Sequence, residues 1–242
     1  KAFFQAAGLG KQKKFIVYHP QAITGAAALV AEMPLQTWQD WLAFHTVNQH
    51  AGALPKAFVD QRFEFYGRTL SGTPQLSPRW KRSLAALNEA MPEAVGKMYV
   101  DTYFPPAAKA RVQQMVMNIV DAFHQRIDRL DWMAPATKRE AHAKLNVLYV
   151  GVGYPEKWTT YGGLEVKPDD AFGNAYRAAQ FHYKLELAKL GTKVDPKEWS
   201  MPPQLVNAVN MPMQNALDFP AAILQAPFFA PNGTGVVNSG AN

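Results

Sequence analysis

Cysteine is absent from the 242 residues. That excludes a disulfide framework, a thiolate metal centre and a cysteine nucleophile. Long apolar runs are missing as well. No segment approaches the roughly 18 to 20 apolar residues needed to span a bilayer, so no transmembrane segment is expected. No charged-then-apolar leader opens the sequence, and its first residue, Lys1, reads as the middle of something. The last residues, NGTGVVNSGAN, end without a closing element, so both ends are expected to be cuts in a longer chain.

Complete catalytic sets are also lacking. The six histidines are His19, His45, His50, His124, His142 and His182. No two are spaced as in H-E-x-x-H, where two imidazoles on one helical face hold zinc beside a general-base Glu. There is no Gly-x-Ser-x-Gly elbow. Gly-x-Gly occurs at Gly151–Gly153 and Gly233–Gly235, but neither pattern opens a helix as a phosphate cradle does. The adjacent Asp169 and Asp170 read as a helix start.

What is present is a folded composition, 48% hydrophobic and 18% charged, with a formal net charge of +6. The basic residues are scattered among acids apart from Lys11, Lys13 and Lys14, which reads as a solvated basic surface and not a nucleic-acid footprint. Helical patterning dominates up to residue 190, in roughly seven pieces. Residues 15 to 19 read as a short strand or a helix start, stopped at Pro20. A short Ala-rich helix is expected over Gln21–Glu32. A second carries Leu35, Trp38, Trp41, Leu42 and His45 at helical spacing, with Thr37 as its N-cap. Phe58 to Leu70 forms another apolar set, closed by a Gly72–Pro74 turn. Ser77-Pro78 opens the next helix, interrupted at Met91-Pro92 and resumed over Ala94–Phe104. The strongest helix follows Pro105-Pro106, with Val112, Met115, Val116, Ile119, Phe123, Ile127 and Leu130 recurring at three and four residues. A further helix is expected from Pro135–Thr137 to about Tyr149, a loop over Gly151–Gly163, and a helix over Ala171–Leu190.

After Pro203 the character changes. Val206 to Phe229, VNAVNMPMQNALDFPAAILQAPFF, is apolar, rich in Pro and Asn, and holds a single charge, Asp218. Val206 to Asn210 reads as a short strand, which Pro212 confines to an edge or an end. An exposed edge accepts a peptide as an added strand, and Asn207 adds a side chain able to bond its backbone. Spacing alone favours the plainer alternative, in which Asn207 caps a turn and FPAAILQAPFF is buried.

This stretch resembles a hallmark of the neprilysin and endothelin-converting-enzyme family of zinc metallopeptidases, V-N-A-[YF]-Y followed by P-x-x-N-x-I-x-F-P-A-G-I-L-Q-x-P-F-F. Upstream, FEFYGRTLSG (63–72), RWKRSL (79–84), AVGKMYVDTYF (94–104), LDWMAPATKREAHAKL (130–145), VGYPEKW (152–158) and EWSMPPQLVNA (198–208) match in the family's order, so the resemblance covers essentially the whole chain. It implies a mainly α protein: a multi-helix lid-side domain over residues 1–190, then the first extended segments of a thermolysin-like catalytic domain over 191–242. It implies that Asn207, by its side chain, and Ala208, by its backbone carbonyl, hold a peptide substrate. The intact parent is implied to be a zinc metalloendopeptidase acting on oligopeptides. Its zinc ligands, general base and remaining catalytic half are implied to lie beyond this sequence, with H-E-x-x-H expected within about 40 residues of Asn242. The chain by itself is then expected to have no catalytic residues, hold no metal and cleave nothing. Its partners would be peptides and the rest of the same protein, with no nucleic acid. The family implies an extracytoplasmic setting, and the lack of cysteine with the Ala- and Gln-rich composition favours a bacterial periplasmic or envelope-attached protein over an animal ectoenzyme. The pattern is departed from in two places: Val209 and Asn210 replace an aromatic and a Tyr, and Ala222 replaces a Gly. The first departure keeps a non-catalytic helical peptide-binding module open. The net charge keeps open an anionic-surface binder.

Overall fold

Four of the helices begin with proline as a first residue, because proline's fixed φ suits the first turn and its missing N–H would have no partner there. These are α2 (Pro20–Glu32), α6 (Pro92–Tyr103), α7 (Pro106–Asp128) and α8 (Pro135–Asn146). The structure is a computed structural model and describes residues 2–231 and 233. The Gly235 end of the second Gly-x-Gly pattern, and most of the terminal stretch read as a loop, lie outside the described residues. The chain divides into two compact units that alternate along the sequence. One runs to Lys81 and takes up Leu164–Leu190; the other takes Arg82–Gly163 and the described residues from Gly191 onward.

The first unit is wholly helical. It holds α1 (Ala2–Ala6), α2, α3 (Leu35–His50), a 3-10 turn at Ala51–Ala53, α4 (Lys56–Arg62), a π-helical continuation at Phe63–Leu70, and α9 (Ala171–Ala188). The N-cap position of α3 is Pro34, with no side-chain cap, so the expected cap Thr37 lies inside the first turn. Extended backbone at Pro34 (ψ 145°) starts the helix at Leu35, the first residue of the apolar pattern and one turn ahead of the expected cap. Residues 15 to 19 form neither a strand nor a helix. Asp170 does open a helix: its carboxylate accepts the Gly173 amide at 2.9 Å at the head of α9. The Tyr183 hydroxyl of α9 donates to the Ala7 carbonyl at 2.6 Å, and Phe172 packs edge-on against His50, with ring centres 4.9 Å apart.

The second unit combines α5 (Arg79–Ala90, from Arg82 onward), α6, α7 and α8 with a small sheet. Its core is Val100, Phe104, Ala108, Val112, Val152, Ala221, Leu224 and Phe229. The three strands are β1 (Tyr149–Gly153), β2 (Val209–Met211) and β3 (Ala216–Pro220), in spatial order β1-β3-β2. β1 runs parallel to β3, with Tyr149 opposite Ala216 and Gly153 opposite Pro220. β2 runs antiparallel to β3, with Val209 opposite Asp218 and Met211 opposite Ala216.

Three local expectations are corrected by this sheet. α8 ends at Asn146, so Tyr149 belongs to a strand. Gly151–Gly153 lies in that strand and not in a loop, because the two glycines give room for close neighbours. A Cβ on Gly151 would sit 2.3 Å from a carboxylate oxygen of Asp218, and one on Gly153, whose φ is +77°, would sit 2.3 Å from the Phe104 ring. The edge strand is shifted: it spans Val209–Met211, and Val206–Ala208 precede it. The Asn207 amide bonds back to the Leu205 carbonyl and the Asn207 side chain accepts the Ala208 amide, which holds these residues in a turn ahead of the ladder.

Candidate functional site

The segment from Pro203 to Phe229 is held against the second unit at several points. The Pro203 carbonyl accepts the Ala222 amide at 2.9 Å. Gln204 donates to the Asn88 side chain at 2.6 Å and to the Pro92 carbonyl at 3.0 Å. Gly96 of α6 lets this crossing happen, since a Cβ there would lie 2.6 Å from the Pro203 ring. β2 and β3 are joined by the four residues 212–215, in which Asn215 takes a left-handed backbone (φ +52°) that Asn tolerates better than most residues. Asn215 also fastens this hairpin: its side chain donates to the Lys144 carbonyl at 2.9 Å, and its own carbonyl accepts the Tyr149 amide at 3.1 Å. Ala222 is not among the residues with left-handed backbone, so a Cβ is accommodated where the family pattern carries Gly.

Asn207 and Ala208 are both exposed, and they lead directly into β2, the strand at one edge of the sheet. The Asn207 Oδ1 already accepts the Ala208 amide at 2.8 Å, which fixes the side chain and leaves its NH2 group as the donor on offer. Val209 and Met211 are half-buried, and Asn210 is exposed. Met213, at the tip of the hairpin, is 97% exposed.

One residue of this region was not recognised from its sequence as important. Asp218 occupies the middle of β3, is fully buried at 0% exposure, and neither of its oxygens meets a donor at hydrogen-bonding geometry. Burial pushes its pKa up to about 6; the backbone amide of Ser200 pulls weakly the other way. The Trp199 ring lies against the same space over Gly151, and its buried Nε1 likewise has no geometric partner. The available signal was plain: Asp218 is the single charge in a 24-residue apolar stretch.

Other polar clusters serve the fold. Glu93 at the head of α6 accepts both the amide and the hydroxyl of Thr159, while its own amide donates to the Tyr161 hydroxyl at 3.1 Å. Lys109 donates to the Tyr154 carbonyl at 2.8 Å with its ammonium 3.8 Å from the centre of the Tyr154 ring, and burial lowers its pKa. His124 of α7 and His142 of α8 face each other with Nδ1 atoms 2.6 Å apart, and His142 Nε2 lies 2.9 Å from Asp128 Oδ1. Among the described residues no three of His, Cys, Asp or Glu form a group able to hold a metal ion, and no helix is long and apolar enough to cross a membrane.

The model of peptidase family M13 matches residues 1–155. A neutral endopeptidase of Lactobacillus helveticus is 35% identical over 221 residues, covering 90% of this chain and 34% of that protein. Human neprilysin is 28% identical over 237 residues, covering 95% of this chain and 32% of that protein. Among solved structures, the Mycobacterium tuberculosis zinc metalloprotease Zmp1 in complex with an inhibitor superposes with a TM-score of 0.85 at 42% identity, over 93% of this chain and 34% of that one. PepO from Lactobacillus rhamnosis gives a TM-score of 0.72 at 32% identity, over 84% of this chain and 32% of that one. The chain thus spans about a third of the length of the curated relatives it matches.

Proposed function

This chain belongs to peptidase family M13, and on that premise we propose that it forms the peptide-holding side of a zinc-dependent metallopeptidase that hydrolyses peptide bonds in oligopeptides. The observation that carries the reading is the exposed Asn207-Ala208 pair entering β2, the edge strand of the sheet. An extended peptide laid along that edge meets backbone groups with no further strand to pair with, and Asn207 offers its NH2 group to a peptide carbonyl. The ordered turn at Leu205–Ala208 supports this role, because the side chain is already oriented before a ligand arrives.

The zinc implied by the family does not fit the described residues of this chain. His124 and His142 aim their Nδ1 atoms at one another with no room for an ion between them, and Asp128 lies on the far nitrogen of His142. We therefore assign the ligands, and every step that depends on the metal, to the remaining catalytic half of the parent. In this division residues 1–190 belong to the lid side and 191–242 open the catalytic domain. The family favours an extracytoplasmic parent, in the bacterial periplasm or attached to the envelope.

The test uses the intact parent. Chelation should abolish cleavage of an oligopeptide. Asn207→Ala should raise KM with little change in kcat, lowering kcat/KM roughly 5- to 50-fold, the range of one lost hydrogen bond to a ligand. An unchanged KM would remove the assignment of Asn207. Val209 and Asn210, which replace aromatic residues of the family pattern, support a second reading as a non-catalytic peptide-binding module. Peptide binding without chelator-sensitive cleavage would select it.

A further inference from the structure

We propose that the Asp218 carboxyl is a positioning group for β2, keeping the β2–β3 pairing in place while protonated and loosening it when ionised. The inference rests on the peptide-docking reading above. Asp218 is Cα-paired with Gly151 on one side and with Val209, the first residue of β2, on the other. Its two oxygens are buried with no donor at full hydrogen-bonding geometry, the Ser200 amide alone acting on them, and the absence of a side chain at Gly151 is what gives them room.

The groups facing Asp218 give its charge little help. β1 contributes Tyr149, whose hydroxyl is pushed up by burial and by the charges of Asp218 and Glu156, while the Trp199 indole and Lys197 pull it down. β2 contributes Val209, Asn210 and Met211, none of them ionisable. The preceding segment contributes the Trp199 indole and the Ser200 amide. Lys197 is the one cation among these, and it acts on the Tyr149 hydroxyl. An ionised carboxylate in such a place draws water or backbone amides toward itself. β2 has three residues against five in each of β1 and β3, so it is the element that yields. With the acid's pKa pushed to about 6, the change falls close to neutral pH. Peptide docking is then tighter on the acid side.

The experiment follows hydrogen exchange of residues 206–212 in the intact parent, corrected for intrinsic rates, together with KM and kcat for one oligopeptide, between about pH 5 and 7.5. In the wild type, protection of this segment is expected to fall severalfold through about pH 6 and KM to rise severalfold, with the kcat profile unmoved. Asp218→Asn should hold both protection and KM flat. Parallel profiles in the two proteins, or an effect on kcat in place of KM, would overturn the inference. If Asp218→Asn does not fold, Asp218→Val is read in the same way; failing both, wild-type protection that stays flat across the range overturns it. Loss of the docking reading shows differently, as an unchanged KM in Asn207→Ala, and the exchange profile still decides the role of Asp218.

Discussion

A single buried carboxyl sets a measurable pH dependence. Asp218 has a folded pKa of about 6 against about 3.9 for an unfolded Asp, so the folded state holds the proton more tightly. Its stabilising contribution is therefore complete below about pH 4 and is lost as pH rises through 6, because stability falls with pH wherever the folded state binds more protons. The expected loss from this group is on the order of 2–3 kcal/mol between pH 4 and pH 7. Chemical denaturation at a series of pH values should show that slope in the wild type and a flatter profile in Asp218→Asn; identical slopes would refute the assignment. Asp218 shows why part of the site was hard to read from sequence. An Asp in a run such as ALDFP looks like a loop residue, and only the register of β3 between two neighbours reveals that its carboxyl is shut away from solvent. Ala208 came from resemblance alone; Asn207 was visible as a polar side chain on an edge strand, but spacing equally allowed it to cap a turn, and it does accept the Ala208 amide.

Legibility at the level of elements follows the length of the pattern. α7 shows its apolar period over nearly its whole 23 residues, and α6 and α9 were likewise readable. β1 was not, because its partner β3 begins 63 residues after β1 ends and its two glycines mimic a loop. The contact between α7 and α8 was hidden for the same reason: His124 and His142 are 18 residues apart and on different helices. Their ring planes are 8° apart and their centres 4.9 Å apart, a separation that places the rings edge to edge with the nitrogens on the line between them. His142 Nε2–H donates to Asp128, so in the neutral pair His142 Nδ1 accepts from His124. Replacing either histidine by Ala should cost about 1 kcal/mol at neutral pH, with the two changes coupled by a similar amount in a double-mutant cycle. Additive effects would show the contact to be energetically empty. Lys138, which donates to the Asp128 carbonyl at 2.7 Å, is the control expected to stay outside the coupling.

The whole molecule alternates between two units, and this has a mechanical consequence. α9 belongs to the first unit although it follows most of the second in sequence. A chain cut after Gly163 loses the Tyr183–Ala7 hydrogen bond and the packing of Phe172 on His50. Limited proteolysis should then cleave within residues 2–62 much faster than in the uncut chain, and α7 should lose protection as well, because Ala221, Leu224 and Phe229 of its core go with the same cut. Equal cleavage rates would show that α9 does not stabilise the first unit. Mean composition says nothing of this arrangement, because no shift in residue type marks position 81 or 163.

The same alternation sets an order of events during synthesis. The first unit cannot complete itself when residue 81 leaves the ribosome; it waits for α9, which is separated from it by the 82 residues 82–163. At 5–20 residues per second that interval is about 4 to 16 s. Over that time Ala7 and His50, the partners of Tyr183 and Phe172 in the finished unit, stand without them. The first unit is thus incomplete for as long as residues 82–163 take to be made, and faster translation of that stretch shortens the interval.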